Sequence, residues 1–102
     1  MIWLLVRHSV KDYGAWKPVF DAHGSVREEA GASGGYVMRD PDDPNLISVA
    51  LAFEGVDAAR AFVASPTLRD AMAEAGVIGD PEISYFDVLE QLSFAPAEVL
   101  AA

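Results

Sequence analysis

The order in which two hydrophobic periods succeed each other constrains this chain most. Strand-like alternation gives way to helical spacing, returns twice, yields again to helical spacing and returns once more, all within 102 residues. The pattern reads strand, helix, strand, strand, helix, strand. A chain this long is one domain, with a small core because surface-to-volume scaling is unfavourable at this size. At least two strands are apolar on both faces. Helices can cover only one face of a four-stranded sheet, so the other face calls for a second apolar surface, and the simplest is a second copy.

Composition narrows the classes. Hydrophobic residues make up 52% and charged residues 23%, which is a folded rather than a disordered composition. The net charge is -9, with only seven basic residues, and these are scattered. Nucleic acid and anionic membrane surfaces select clusters of Lys and Arg, so neither is an expected partner. The absence of cysteine removes disulfides, thiolate metal sites and cysteine nucleophiles, and suits a cytoplasmic protein. The opening run from Met1 to Arg7 lacks the basic flank of a signal peptide. No stretch approaches the roughly 20 apolar residues of a membrane span.

Ile2 to Val10 reads as a strand, with Ile2, Leu4, Val6, His8 and Val10 on one face. Both of its faces turn polar toward the C-terminal end, the expected mouth of a pocket. Asp12 is a fitting N-cap for a helix reaching about Ala30, stopped by Gly31. Trp16, Val19, Phe20, His23, Val26, Arg27 and Ala30 share one side of it. Pro18 is expected to kink this helix or to split off its first turn. Ser33 to Arg39 and Asn45 to Glu54 read as the second and third strands, joined by the turn Asp40-Pro41-Asp42-Asp43-Pro44-Asn45. The third strand has a bulky face (Ile47, Val49, Leu51, Phe53) and a small one, and the small side is expected to receive a helix. A short helix over Asp57 to Ala64 buries Ala59, Phe62 and Val63. Ser65 as N-cap and Pro66 in the first turn restart the chain as a second helix, with a stripe of Leu68, Ala71, Met72 and Ala75 ended by Gly76. Pro81 to Leu89 is the fourth strand. Residues 1–90 thus form the domain, and 91–102 form an apolar tail expected to pack on the partner.

The architecture is α+β, a ferredoxin-like βαββαβ plait with an antiparallel four-stranded sheet. Leaving about four large apolar side chains of its open face in water would forfeit roughly 1.5–3 kcal/mol each. That rivals a whole domain's stability of about 5–15 kcal/mol. A homodimer closed through the sheet faces follows as the expected state.

Two groups of residues carry a resemblance over about residues 2–90. One is Val10-Lys11-Asp12-Tyr13 with Trp16-Lys17 and Phe20-Asp21. The other is Ala59-Arg60-Ala61-Phe62 with Ser65-Pro66, Leu68-Arg69, Met72 and Gly76-Val77. Together they resemble small stand-alone proteins of the dimeric α/β-barrel superfamily, within it the antibiotic-biosynthesis-monooxygenase-like group. The resemblance implies sheets paired face to face and ligands held between sheet and helices. The superfamily includes cofactor-free oxygenases, isomerases, haem enzymes and proteins with no known activity. The matching motifs are caps, stripes and turns, and none is a catalytic signature.

Chemistry-bearing residues are few. His23 lies within the apolar stripe of the long helix and His8 toward the polar end of the first strand, so the two histidines of the chain can face one cavity as general acid or base. Each is equally at home as a hydrogen-bonded core histidine. Trp16 and Phe20, with Tyr13, form an aromatic cluster that either packs the core or walls a ligand. Tyr36 and Tyr85 place phenols on strands, where they orient a substrate or bond a backbone carbonyl. Arg27 and Arg39 can reach an anionic group, and each reads more simply as a surface or helix-end ion pair. Metal binding is not expected: after Asp40, Asp42 and Asp43, a calcium loop would need glycine where Asn45 stands and glutamate where Leu51 stands. The histidines lack the i, i+4 spacing of a zinc motif, and no dinucleotide or phosphate loop is present.

Two functions of different class remain open. One is a cofactor-independent oxygenase or isomerase-like enzyme acting on a small, largely apolar or aromatic molecule, with His8 or His23 as base, Tyr36 or Tyr85 positioning the substrate, and Trp16 and Phe20 excluding water. No cofactor is expected, since a dry pocket and one base suffice for a substrate that reacts with oxygen once deprotonated. The other is a non-enzymatic dimeric binding or interaction module whose large side chains fill the space between sheet and helices. A histidine-containing cavity of about 300 Å³ or more would favour the enzyme.

Overall fold

The computed structural model describes residues 1–93. The tail expected over 91–102 falls largely outside the described residues. The elements follow the predicted order: β1 Ile2–Val10, α1 Tyr13–Ala22, α2 Gly24–Glu29, β2 Gly34–Arg39, β3 Leu46–Phe53, α3 Val56–Ala64, α4 Pro66–Ala75 and β4 Val77–Asp87. The strands form one antiparallel sheet in the order β2-β3-β1-β4, the ferredoxin-like arrangement. Connecting β1 to β2 through α1 and α2, and β3 to β4 through α3 and α4, puts the four helices of the described residues on one face.

Local signals account for most boundaries. The Asp12 carboxylate accepts from the Ala15 amide at 3.0 Å, and the Ser65 hydroxyl accepts from the Leu68 amide at 3.2 Å, each supplying a helix N-cap. Gly76 closes α4 in the left-handed conformation at φ 83°, where a side chain would be strained. In the β2–β3 turn, Asp40 accepts from the amides of Asp42 and Asp43, both at 3.0 Å. Asn45 then takes the Tyr13 amide at 3.0 Å, tying the turn to the start of α1. The acidic cluster is therefore a turn device.

Three details depart from expectation. The long helix does not break at Pro18, which lies inside α1, but at His23. There the His23 amide shifts to the Phe20 carbonyl, and the Val19 carbonyl is met by the His23 ring Nδ1 at 2.8 Å. The side chain replaces the backbone bond, and Gly24 lowers the cost of leaving the helix. Second, the helices pack on the bulky face of β3. Ile47, Val49, Leu51 and Phe53 join Leu4, Val6, Val10, Trp16, Ala59 and Phe62 in the core. The small residues Ala50 and Ala52 lie on the opposite face. Third, β4 begins before Pro81. Arg7 pairs with Glu82 and Ser9 with Ile78, so the register shift leaves Gly79, Asp80 and Pro81 opposite His8. An outer strand with a bulge tolerates a proline that cannot donate to the ladder.

The outer face of the sheet is apolar at one end. Phe86 stands 52% exposed and Tyr36 64% exposed, with Trp3 and Leu5 half-buried. Toward the other end it turns polar, where Arg7 faces Glu82 at 3.8 Å.

Candidate functional site

Alternation on β1 sends His8 to the helical side, between Val6 and Val10. It is 6% exposed, and both ring nitrogens are shut off from solvent with no hydrogen-bond partner among the described residues. An unpaired buried polar group costs about 1–3 kcal/mol, and buried polar groups are nearly always paired. Burial pushes the His8 pKa below its ordinary value. The imidazole is therefore neutral at pH 7, with one nitrogen a donor and the other an acceptor.

His8 forms part of the wall of a chamber of about 70 Å³ between sheet and helices. Val6, Val49 and Leu51 supply its floor from the sheet, α1 supplies Trp16 and Phe20, the break between α1 and α2 supplies His23, α2 supplies Arg27, and α4 supplies Leu68 and Met72. The structure thus brings His8, His23, Trp16 and Phe20 to one space. No carboxylate among the described residues lines it, so none of them there stabilises an imidazolium by charge. His23 bonds the Val19 carbonyl through Nδ1. In its neutral form the ring proton sits on Nδ1, and Nε2 is left as an acceptor.

The aromatic side chains form a continuous column. The His8 and Trp16 rings lie 5.8 Å apart, and Trp16 stacks on Phe20 at 4.7 Å with 22° between planes. The Arg27 guanidinium lies 3.7 Å from the Phe20 ring centroid and donates to the Phe20 carbonyl at 2.8 Å. Beyond Phe20 and Arg27 a more open groove of about 490 Å³ runs along Ser33 to Val37. Phe20, Arg27, Val49 and Leu51 border both spaces.

The tyrosines lie elsewhere. Tyr36 is on the outer sheet face, stacked on Trp3, and borders only the open groove. Tyr85 is on the helical side, but opposite Leu4 and beneath Arg60, whose guanidinium lies 5.7 Å from its ring. Neither lines the chamber. The expectation of surface ion pairs for Arg27 and Arg39 is corrected. The ion pairs among the described residues are Arg7–Glu82 and Lys17–Asp21, while Arg27 stacks on Phe20 and Arg39 lies over Tyr13 at 5.4 Å. Burial lowers the Arg27 pKa, against an opposing pull from Asp21. The available sequence signal for Arg27 was its position on the apolar stripe, one turn beyond His23. Among the described residues no cluster of three His, Cys, Asp or Glu could hold a metal ion, and no helix is long and apolar enough to cross a membrane.

No protein-family profile matches the chain, and no curated protein matches it by sequence. Solved structures do match in fold. SnoaB from Streptomyces nogalater, a cofactor-independent oxygenase, superposes with a TM-score of 0.72 at 18% identity, covering 89% of this chain and 95% of its own. A candidate antibiotic biosynthesis monooxygenase from Bordetella bronchiseptica gives 0.75 at 14% identity, over 87% of this chain and 97% of that one. Another candidate from Caulobacter crescentus gives 0.70 at 19%, over 87% and 90%. The fold is that of the antibiotic-biosynthesis-monooxygenase-like proteins, as the sequence resemblance implied.

Proposed function

We propose that this protein is a homodimer that binds a small, largely apolar aromatic molecule between sheet and helices and oxygenates it without a bound cofactor. One observation carries the reading. His8 is neutral, buried and unpartnered on the wall of an apolar chamber. A ligand donor or acceptor is the partner it lacks. The fold shared with a cofactor-independent oxygenase supports the same reaction class.

The chemistry follows from that environment. A neutral imidazole with a lowered pKa is fully available as a base at pH 7 but a weak one, so it takes only protons already acidified by conjugation, as in phenols and enols. The deprotonated substrate transfers an electron to O₂, the radical pair combines to form a C–O bond, and the resulting peroxide anion takes the proton back from His8. The hydroperoxide then loses water to leave a carbonyl: a CH₂ group and O₂ give C=O and H₂O. Trp16, Phe20 and the apolar walls keep bulk water from the carbanion. The dimer is supported by the exposed Tyr36, Met38 and Phe86 on the outer sheet face.

The test is oxygen uptake with oxidisable polyphenols, alongside native mass spectrometry of gently purified protein. Expected are a dimer carrying a releasable small molecule, and uptake that His8→Ala abolishes. Uptake equal in the wild type and in His8→Ala would sink the role of His8. A second reading is favoured by the chamber's size. At about 70 Å³ it falls short of the roughly 300 Å³ of ordinary ligand pockets. A protein without uptake or ligand would be a dimeric interaction module whose core Trp16 and Phe20 simply fill.

A further inference from the structure

The chamber is too small for an aromatic ring. A cavity that binds benzene measures about 150 Å³, and this one measures about 70 Å³. The adjoining groove, at about 490 Å³, lies within the range of ligand pockets, roughly 300–1,000 Å³. Phe20 and Arg27 stand between the two, with Val49 and Leu51 as common floor. Phe20 is only half-buried. It is held by ring contacts to Trp16 and Arg27, and a ligand ring can replace either face.

Arg27 is out of keeping with its surroundings. Of the basic residues that form no ion pair among the described residues, Arg27 alone is partly buried, and the Asp21 charge acts on it without a salt bridge. Glu28 borders the same groove without pairing to it. One guanidinium N–H is taken by the Phe20 carbonyl. A guanidinium carries five donors in a planar fork matched to a carboxylate. At the opposite end of the aromatic column lie the two unpartnered nitrogens of His8. An unpaired cation at the groove and an unpaired neutral imidazole in the chamber, separated by stacked rings, define a ligand with complementary ends.

We infer that groove and chamber are one binding site for a flat hydroxylated aromatic carboxylate, with Arg27 holding the carboxylate, Phe20 turned aside, and His8 taking the hydroxyl at the far ring. This deepens the proposed function and rests on it for the role of the chamber. It assigns Arg27 as the residue that selects an anionic substrate in an otherwise acidic protein. It assigns Phe20 as the partition that the ligand displaces.

The test uses the full chain and three probes in titration calorimetry: 6-hydroxy-2-naphthoate, 2-naphthol without the carboxylate, and 2-naphthoate without the hydroxyl. A charge-assisted hydrogen bond is worth enough for roughly tenfold or more in affinity. The wild type is expected to prefer the hydroxynaphthoate over 2-naphthol by about that factor. Arg27→Gln should abolish that preference while leaving 2-naphthol affinity within about twofold. His8→Phe should abolish the preference over 2-naphthoate. If Arg27→Gln also loses 2-naphthol, Arg27→Lys decides. A retained carboxylate preference of about threefold supports the site, since lysine keeps the charge without the fork, and its loss overturns it. If 2-naphthol binds in a His8-dependent way but the carboxylate adds nothing, Arg27 falls and the chamber stands. If none of the three probes binds, both fall together.

Discussion

Trp3 and Tyr36 stack at 5.7 Å between ring centroids although they belong to strands that do not touch. β3 lies between them, and its residues at that level are Ala52 opposite Trp3 and Ala50 opposite Tyr36. Two methyl groups leave the height for two large rings to meet above the intervening strand. The small face of β3 thus serves an aromatic plate on the outside of the sheet, next to the exposed Phe86 paired with Trp3. Phe86→Glu is expected to break the proposed sheet-face dimer. The side chain is already exposed in the protomer, so the protomer itself loses little. An isologous interface contains the position twice, and burying a large apolar side chain contributes roughly 1.5–3 kcal/mol. Dimerisation should weaken at least about a hundredfold in sedimentation velocity. A wild-type protein that sediments as a monomer and melts cooperatively would remove the basis for a sheet-face dimer.

The pH dependence of stability should report on His8. Its pKa in the folded protein lies below the ordinary 6.5 because burial disfavours the imidazolium. As pH falls through 6.5, the unfolded chain gains a proton that the folded chain refuses. Stability therefore declines from there down to the lowered folded value, and is unaffected by His8 well above 6.5. The slope cannot exceed about 1.4 kcal/mol per pH unit for one group. The chamber's other titratable residues are His23 and Arg27, neither of which can offset a positive His8. Urea titrations at pH 7.5 and 5.5 should show the wild type losing more stability than His8→Phe. Equal losses would mean that His8 is protonated in the native state.

Much of this was legible in sequence for a physical reason. Periods of two and of 3.6 survive in a single chain, so the six-element order could be read directly, as could the Asp12 and Ser65 caps and the Gly76 stop. Strand parity also placed His8, and helical spacing placed His23, Trp16 and Phe20, on the same interior side. What sequence could not supply was anything set by three-dimensional fit. The helix breaks at His23 because a ring nitrogen competes for the Val19 carbonyl. β4 runs through Pro81 because a bulge opposite His8 absorbs the missing donor. Parity separated the faces of β3 correctly, but only the helices decided that the bulky face was theirs. Tyr36 and Tyr85 illustrate the same limit. Both stand on strands, yet one faces outward and the other lies away from the chamber.

Gly35 should be intolerant of even a methyl group. A Cβ built there would lie 1.9 Å from the Ala50 carbonyl oxygen, a backbone atom held in the β2–β3 ladder. Relief requires β2 to lift from its neighbour, which would also reshape the groove bordered by Gly34 and Gly35. Overpacking of this kind costs about 1–3 kcal/mol. Gly35→Ala is expected to lower the melting temperature by at least about 5 °C in a domain of this size. A melting temperature unchanged within about 1 °C would show that β2 yields without cost.

Phe20→Ala separates the two functional readings by removing the partition between chamber and groove. Truncating a phenylalanine costs about 3–5 kcal/mol in a full core. Here the side chain is half-buried, so a loss of about 2 kcal/mol is expected, through the stacked faces of Trp16 and Arg27. If the rings only fill space, the variant is simply less stable. If they gate a ligand site, the enlarged space should accept 2-naphthol without the work of displacing a ring. Saturating probe then raises stability in proportion to its affinity. The melting temperature of Phe20→Ala should rise more with 2-naphthol than that of the wild type, recovering part of the loss. A smaller rise in the variant than in the wild type would identify Phe20 as part of the ligand's own contact surface, and the partition would have to lie elsewhere along the column.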